Sequence, residues 1–188
     1  MTTPTDPVPP IPQEDLVKAI RSATEEVFTT MLNLEVVAGD VFVENEEAVP
    51  SSGVVSLIGL AGSWVGSGSL ACAAGVAVKL ASSLLMTPYE SINEDVLDAV
   101  AEVTNMIIGN VKTALESRLG AMGLSTPTVI YGRNFQTRST GNQEWTIVPF
   151  MLGEDRLCVQ VCIAPNPETT NSKKTTRTGF PIPHLVRT

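Results

Sequence analysis

A carboxylate and a carboxamide lie three positions apart at Glu102 and Asn105, inside a stretch that the sequence pattern predicts to be one long helix. Side chains three residues apart are neighbours on a helix surface. An anionic hydrogen-bond acceptor would therefore stand beside a group that both donates and accepts. The same spacing also occurs on ordinary solvated helix faces. A second instance, from Glu90 to Asn93, indicates only the start of the helix.

Two residues on this outer face are unusual for an exposed helix. Asn105 is a poor helix former, and Gly109, one turn further on, costs about 1 kcal/mol relative to alanine in a helix interior. The bare surface at Gly109 would let the backbone of another protein approach the Glu102/Asn105 pair. Asp98 and Lys112 share this face and complete the candidate partner-binding set.

Other common catalytic arrangements are not supported by the residues. The glycine-rich run from Gly59 to Gly68 is not followed by Lys-Ser/Thr and does not lie between a strand and a helix, so it does not predict a phosphate loop. The sole histidine, His184, lies far along the C-terminal tail and makes a Ser-His-Asp triad improbable. Three cysteines without a CxxC pair do not predict a zinc site.

The helix that carries these residues is predicted over 94–119. Its apolar positions recur at helical spacing and define a face opposite to Glu102 and Asn105. They are Leu97, Val100, Ala101, Thr104, Ile108, Val111, Leu115 and Leu119. Asn93 is the predicted N-cap, and Gly120 and Gly123 are expected to end the helix.

Around this helix, the sequence predicts a first helix over 13–33, strands over 35–43, 53–60 and 64–72, a short helix over 75–86, and strands over 128–131, 145–152 and 156–164. The order is helix-strand-strand-strand repeated twice, with the short helix between the repeats. Hairpins between successive strands favour an α+β fold with a mainly antiparallel sheet and long helices packed on one face.

The composition restricts the partners. With 188 residues and a net charge of −8, the chain has the wrong sign for gripping nucleic acid, and a basic partner is expected. The uncharged stretch 48–78 is interrupted by glycines and predicts no membrane span. The three cysteines are interpreted as buried, reduced thiols of a cytoplasmic protein.

Three regions are expected along the chain. Residues 1–12 hold five prolines and are interpreted as an extended arm. Residues 13–164 form the predicted domain. From Pro165 onward the sequence is polar, rich in proline and threonine, and mildly basic, so 165–188 is interpreted as a tail.

The segment from Asp98 to Thr113 resembles the signature helix of the CheC/CheX family of chemotaxis phosphatases. That signature is an acidic or serine residue, three residues, Glu, two residues, Asn, and a proline some two dozen residues later, which here is Pro127. The hairpin at 55–70 and the end of the first helix at 31–35 also look like the family's. The resemblance covers about residues 13–164.

The resemblance implies that the protein dephosphorylates the aspartyl phosphate of a CheY-like response regulator. Asn105 would position the attacking water, and Glu102 would pair with the regulator's active-site lysine. An acyl phosphate is already activated, so positioning and electrostatics suffice for catalysis. The resemblance implies no cofactor in this chain, because the required Mg²⁺ would belong to the phosphorylated regulator.

Only one copy of the signature is present. The first helix carries Glu25, Glu26, Phe28 and Thr29 where a second copy would need Glu and Asn. CheC-type members carry two copies, whereas CheX-type members carry one and act as homodimers. The chain therefore resembles the CheX type more, and pairing of edge strands is the expected dimer contact.

Two other interpretations remain open from the sequence. A non-catalytic module could dock a regulator or signalling partner through Asp98, Glu102 and Lys112 and leave the phosphate untouched. A structural domain could share only the fold. The presence of Asn105 in mid-helix favours the enzyme, because a docking face does not require an amide there.

Overall fold

The computed structural model describes residues 11–44, 52–133 and 144–167. Its elements, in chain order, are α1 (Gln13–Val27), a π-helical turn (Phe28–Leu32), β1 (Val37–Ala38), β2 (Phe42–Glu44), β3 (Ser52–Gly62), β4 (Trp64–Cys72), α2 (Ala74–Leu84), α3 (Glu94–Leu119), β5 (Met122–Leu124), β6 (Thr128–Arg133), β7 (Trp145–Leu152) and β8 (Asp155–Pro165). Residues 1–10 and most of the predicted tail lie outside the described residues, so the expected domain boundaries stay predictions.

The strands form one antiparallel sheet in the order β1-β7-β8-β4-β3-β5, with β2 also pairing with β7 and β6 with β3. The first two strands of each half thus pair with the third strand of the other half, and β4 and β8 join the halves at the centre. The three helices pack together and against the sheet. The predicted α+β class is confirmed.

Helix α3 rests on the sheet through a close contact at Gly68. A Cβ atom added to Gly68 would lie 2.6 Å from Cδ1 of Ile108, so only glycine lets the helix approach β4 this closely. Ile108 is itself 1% exposed. This contact fixes how α3 is placed and therefore where its outer face points.

Both ends of α3 are as predicted. The Asn93 side chain accepts a hydrogen bond from the Val96 amide at 2.9 Å, which satisfies one of the free N–H groups of the first turn. Glu94 and Asp95 place negative charge at the positive end of the helix dipole. Gly120, with φ of +78°, ends the helix in a conformation that favours glycine.

Three details of the prediction are wrong. The first helix does not run regularly to residue 33, because it turns π-helical at Phe28. The strand expected over 35–43 is two short strands, and β5 was not predicted. Each half therefore carries four strands rather than three.

The break between β1 and β2 has a physical cause in β7. Pro149 has no N–H to donate to the edge strand, and its carbonyl accepts the Gly39 amide at 2.8 Å. The pairing register then shifts by one residue between Ala38 and Phe42. A bulge of this kind re-aims an edge strand and interrupts its ladder.

Candidate functional site

The outer face of α3 presents the predicted site residues together. Asp98 and Glu102 are exposed, and Asn105, Gly109 and Lys112 are half-buried. The apolar face lies opposite, although its centre is rotated from the predicted one. Leu97 and Ala101 are half-buried at its margin, whereas Val96, Ala99, Val103 and Ile107 are buried.

The side chains of Glu102 and Asn105 have no polar partner in the described part of the chain. Within the described part of the chain, neither the Glu102 carboxylate nor the Asn105 amide forms a hydrogen bond or an ion pair. Both groups are held in place by the helix backbone and remain available to a molecule that arrives from outside. Accessible polar side chains on a rigid element are typical of binding and catalytic positions.

The inner face of the helix keeps this pair pointing outward. Thr104, adjacent to Asn105, is fully buried, and its hydroxyl donates to the Val100 carbonyl at 2.8 Å. Ile108 occupies the hollow left by Gly68. A rotation of α3 that moved Asn105 would therefore pull buried groups into water, which is costly in a close-packed interior.

No contact with the described residues requires a glycine at position 109. A Cβ atom built there would lie 3.8 Å from Cδ1 of Leu124, an ordinary contact with no clash. Alanine would fit and would favour the helix. The glycine therefore leaves a bare patch one turn from Asn105 at some expense in stability, as predicted for a surface that another backbone approaches.

Lys112 is directed away from the pair by its own neighbour. Its ammonium group lies 3.4 Å from the Glu116 carboxylate, one turn further along the helix. This i,i+4 pair is partly exposed and worth a few tenths of a kcal/mol at most. Lys112 therefore lies at the margin of the site and can exchange Glu116 for an external partner at little expense.

Residues beside Gly109 also shape the site and were not singled out from the sequence. Ser125 accepts a hydrogen bond from the Gly59 amide at 2.8 Å and donates its own backbone N–H to the Gly59 carbonyl at 2.9 Å. These bonds fix the turn between β5 and β6 that carries Leu124 and Pro127. Nothing in the local pattern signals them, because the two partners are 66 residues apart.

The first helix does not present a second pair. Glu25, Glu26 and Thr29 are exposed, but Phe28 is fully buried in the core and opens the π-helical turn. A side chain at that position cannot reach a partner. The surface of α1 instead supports α3, through a 3.4 Å hydrogen bond from the Asn110 amide to the Glu26 carboxylate.

The remaining candidate groups lie apart from the site. Cys72, Cys158 and Cys162 are buried and form no disulfide, as predicted. His184 lies outside the described residues. In the parts of the chain that the structure describes, no group of three or more His, Cys, Asp and Glu could hold a metal ion. None of the described helices combines the length and apolar character that crossing a bilayer requires.

Comparisons with known proteins agree on one family. The family model "Chemotaxis phosphatase CheX" matches residues 54–151, just over half of the chain. The CheY-P phosphatase CheX of Thermotoga maritima is 27% identical over 127 residues, which span 67% of this chain and 81% of that protein.

Solved structures share the fold. A chemotaxis protein CheX from Desulfovibrio desulfuricans is 27% identical, with a TM-score of 0.71 over 80% of this chain and 99% of that one. The CheX-CheY-BeF3-Mg²⁺ complex from Borrelia burgdorferi matches at 28% identity and a TM-score of 0.67, over 79% and 97% of the chains. The FliM middle domain from H. pylori, at 14% identity and a TM-score of 0.61 over 87% and 99%, shares the fold alone.

Proposed function

Because the chain belongs to the CheX family of chemotaxis phosphatases, we propose that it hydrolyses the aspartyl phosphate of a CheY-like response regulator. The observation that carries the proposal is the Glu102/Asn105 pair on the outer face of α3, which has no polar partner among the described residues. Similarity to a named CheY-P phosphatase and to a solved CheX-CheY complex supports the choice of substrate.

We assign the water-positioning role to Asn105. Its amide can accept a hydrogen bond from one water and donate one, which aligns a lone pair of that water with phosphorus. The water oxygen bonds to phosphorus as the bond from phosphorus to the aspartyl oxygen breaks. The electron pair of the broken bond stays on the regulator's carboxylate. The water oxygen and its protons become part of the inorganic phosphate that is released. Positioning supplies most of the acceleration because the acyl phosphate is already reactive.

Glu102 serves as the anchor in this proposal. Its carboxylate would form a charge-assisted hydrogen bond with the active-site lysine of the regulator and so place Asn105 over the phosphoryl group. Asp98, Gly109 and Lys112 would complete the contact surface, with Gly109 admitting the regulator's backbone. We propose that the required Mg²⁺ belongs to the regulator, where it neutralises phosphoryl charge, and that this chain supplies no cofactor.

The decisive measurement is phosphate release from a Mg²⁺-bound, acetyl-phosphate-charged regulator, with and without the protein. We expect acceleration by the wild type and a 10²–10³-fold lower rate in Asn105→Ala, since one positioned transition-state group is lost. Binding to a regulator charged with beryllium fluoride should survive in Asn105→Ala. The matched control is Asn110→Ala, which removes an amide from the same helix outside the pair and should retain the rate.

Glu102→Ala separates anchoring from water positioning. It should weaken binding and lower the rate together, because the carboxylate acts through the complex. If the protein binds the charged regulator without accelerating release, the non-catalytic docking module is the correct function. A rate that is insensitive to Asn105→Ala would refute the mechanism even if acceleration is observed.

The assembly and location are also proposals. We propose a homodimer formed through edge strands, since among the described strands β6 pairs with β3 alone and β1 and β2 pair with β7 alone. Residues 13–164 would form the working domain, flanked by the arm 1–12 and the tail 165–188. The absence of a disulfide among the three cysteines and the type of substrate favour the cytoplasm. Light scattering on the purified chain tests the dimer.

A further inference from the structure

The loop between α2 and α3 carries an apolar tip that the fold does not use. Met86 is 91% exposed and Leu85 is 42% exposed. Met86 also has a φ of +50°, in the left-handed region that a non-glycine residue adopts only at a cost. The chain thus places a large apolar side chain in water, in an unfavourable backbone conformation, without gaining a core contact from it.

The tip is held firmly in spite of its exposure. The Leu85 amide donates to the Ala81 carbonyl at 2.9 Å, which continues the α2 hydrogen-bond pattern. On the other side, the Tyr89 amide donates to the Ser82 hydroxyl at 3.0 Å, and the Tyr89 hydroxyl donates to the Asp95 carboxylate at 3.3 Å. Desolvation and the Asp95 carboxylate both raise the pKa of the Tyr89 phenol, so it stays protonated as the donor.

The bond to Asp95 also tells which side of α3 the loop occupies. Asp95 and Glu102 are seven residues apart, close to two full helical turns, so their side chains leave the helix in nearly the same direction. Their backbones are about 10 Å apart along the axis. The loop therefore lies on the side of α3 that presents Glu102, within the reach of one partner, because a standard interface involves some 20–30 residues a side.

The stretch of chain that links the tip to the site carries charges of a single sign. From Leu80 to Val111 the chain contains no lysine or arginine. All five acidic residues of that stretch are exposed: Glu90, Glu94, Asp95, Asp98 and Glu102. An apolar anchor bordered by charges of one sign matches the general anatomy of a docking surface, in which methionine is enriched and the rim is polar.

We infer that Leu85 and Met86 form a second contact for the same response regulator, an apolar anchor that enters its surface beside the phosphorylation site while a basic region of the regulator faces the carboxylates between tip and site. The inference rests on the proposed function. The regulator is the expected occupant because the acidic strip, which comprises the five carboxylates from Glu90 to Glu102, has the charge opposite to the lysine that Glu102 would bind. No basic residue interrupts the chain between Glu102 and the tip. The tip would set which regulators are accepted and leave the chemistry to Asn105.

The test is a comparison of steady-state kinetics and of binding to the beryllium-fluoride-charged regulator. Met86→Ala should raise KM and Kd about tenfold, as expected when an interface anchor is truncated, with a much smaller change in kcat. The matched control, Met151→Ala, removes an exposed methionine from β7 and should leave both constants within twofold. Met86→Leu, which keeps an apolar side chain, should restore most of the affinity.

Three further variants keep the test independent of folding. Met86→Gly suits the positive φ and should be at least as stable as the wild type, yet bind as weakly as Met86→Ala. Met86→Lys should bind more weakly than Met86→Glu, because only the lysine would repel a basic partner. Unchanged KM and Kd in Met86→Gly, with an active wild type, would overturn this inference alone. A wild type that neither binds nor dephosphorylates the regulator would overturn the proposed function instead.

Discussion

At the scale of single residues, the outer face of α3 combines groups that the fold itself does not require. Asn105 and Glu102 have no internal partners in the described chain, and Gly109 has room for a Cβ atom. Asn105 and Gly109 are also unfavourable residues for a helix interior. Residues of this kind are explained by what they contact outside the molecule, which is the basis for treating them as functional.

The first prediction concerns Gly109. Gly109→Ala should raise the free energy of unfolding by about 1 kcal/mol through helix propensity, measured by urea titration, yet weaken binding of the charged regulator. Gly109→Leu should abolish binding by filling the bare patch. Gly75→Ala in α2 is the control, since its Cβ would meet no atom within 4 Å and it lies outside the site. It should leave binding intact. Normal binding by Gly109→Leu would show that the proposed contact face is wrong.

The second prediction concerns the buried thiol of Cys72. Burial, assisted by nearby Cys158, raises the pKa of this thiol from an ordinary value of 9.0 to about 12. Its contribution to stability is complete below pH 9, where the thiol is protonated in both states. As the pH rises from 9 towards 12, the unfolded state loses the proton first, and stability falls by about 1 kcal/mol per unit.

Urea titrations at pH 8 and pH 10.5 test this prediction. The wild type should lose stability between the two conditions, and Cys72→Ala should lose less, whatever its stability at pH 8. Equal losses in the two proteins would contradict the raised pKa.

At the scale of elements, the placement of α3 depends on a contact between the helix and the sheet. A Cβ atom on Gly68 would lie within 3.0 Å of three side-chain carbons of Ile108. Either the Ile108 side chain or the helix must therefore shift if Gly68 gains a side chain. Because Asn105 lies one turn from Ile108 on the same helix, a displacement there reaches the candidate site.

The third prediction is a double-mutant cycle on this contact. Gly68→Ala should destabilise the protein by about 1–3 kcal/mol through overpacking and reduce the rate of phosphate release. In an Ile108→Ala background, which removes the three clashing carbons, the same substitution should be nearly neutral, so the two changes would be strongly coupled. Thermal unfolding measures the cycle. Additive effects would indicate that another contact positions the helix.

The elements also show how far the sequence predicts the structure. Helix α3 and strands β4 and β7 are predicted to the residue, because long periodic patterns and an N-cap at Asn93 are local signals. Strand β5 spans only Met122–Leu124 and shows no periodicity. The bulge opposite Pro149 depends on a proline more than 100 residues from Gly39 in the chain. The order of the strands is equally non-local, since pairing β4 with β8 needs information that no window contains.

The candidate site likewise has one part that the sequence predicts and one part that it does not. The Glu102/Asn105 pair is visible in the sequence because both residues lie on one helix at a spacing that the helix converts into proximity. The Met86 tip is not visible, since an apolar residue after a helix is equally typical of a core. Its exposure and positive φ emerge only in the folded chain.

At the scale of the whole molecule, charge is the property that a partner meets first. The chain carries a net charge of −8, and all charged residues from the α2–α3 loop to the middle of α3 are acidic. Charges of one sign near a binding site raise the rate of association with an opposite patch and lose this effect as salt is added. In the proposed mechanism, the chemistry at Asn105 takes place in a formed complex, where screening matters much less.

The fourth prediction follows from this separation. Raising ionic strength from 0.05 M to 0.5 M should slow association with the charged regulator by about tenfold. At the lower salt concentration the Debye length exceeds the roughly 10 Å between Asp95 and Glu102 along the helix, and at the higher one it is much shorter. The rate of phosphate release at saturating regulator should change far less. Stopped-flow fluorescence measures the first quantity and single-turnover phosphate release the second.

Asp98→Asn should reduce the salt dependence of association, whereas Asp155→Asn, which removes a charge at the β7–β8 turn, should not. Association that is independent of salt would exclude electrostatic steering by this face and leave the apolar tip and the Glu102 anchor to account for recognition.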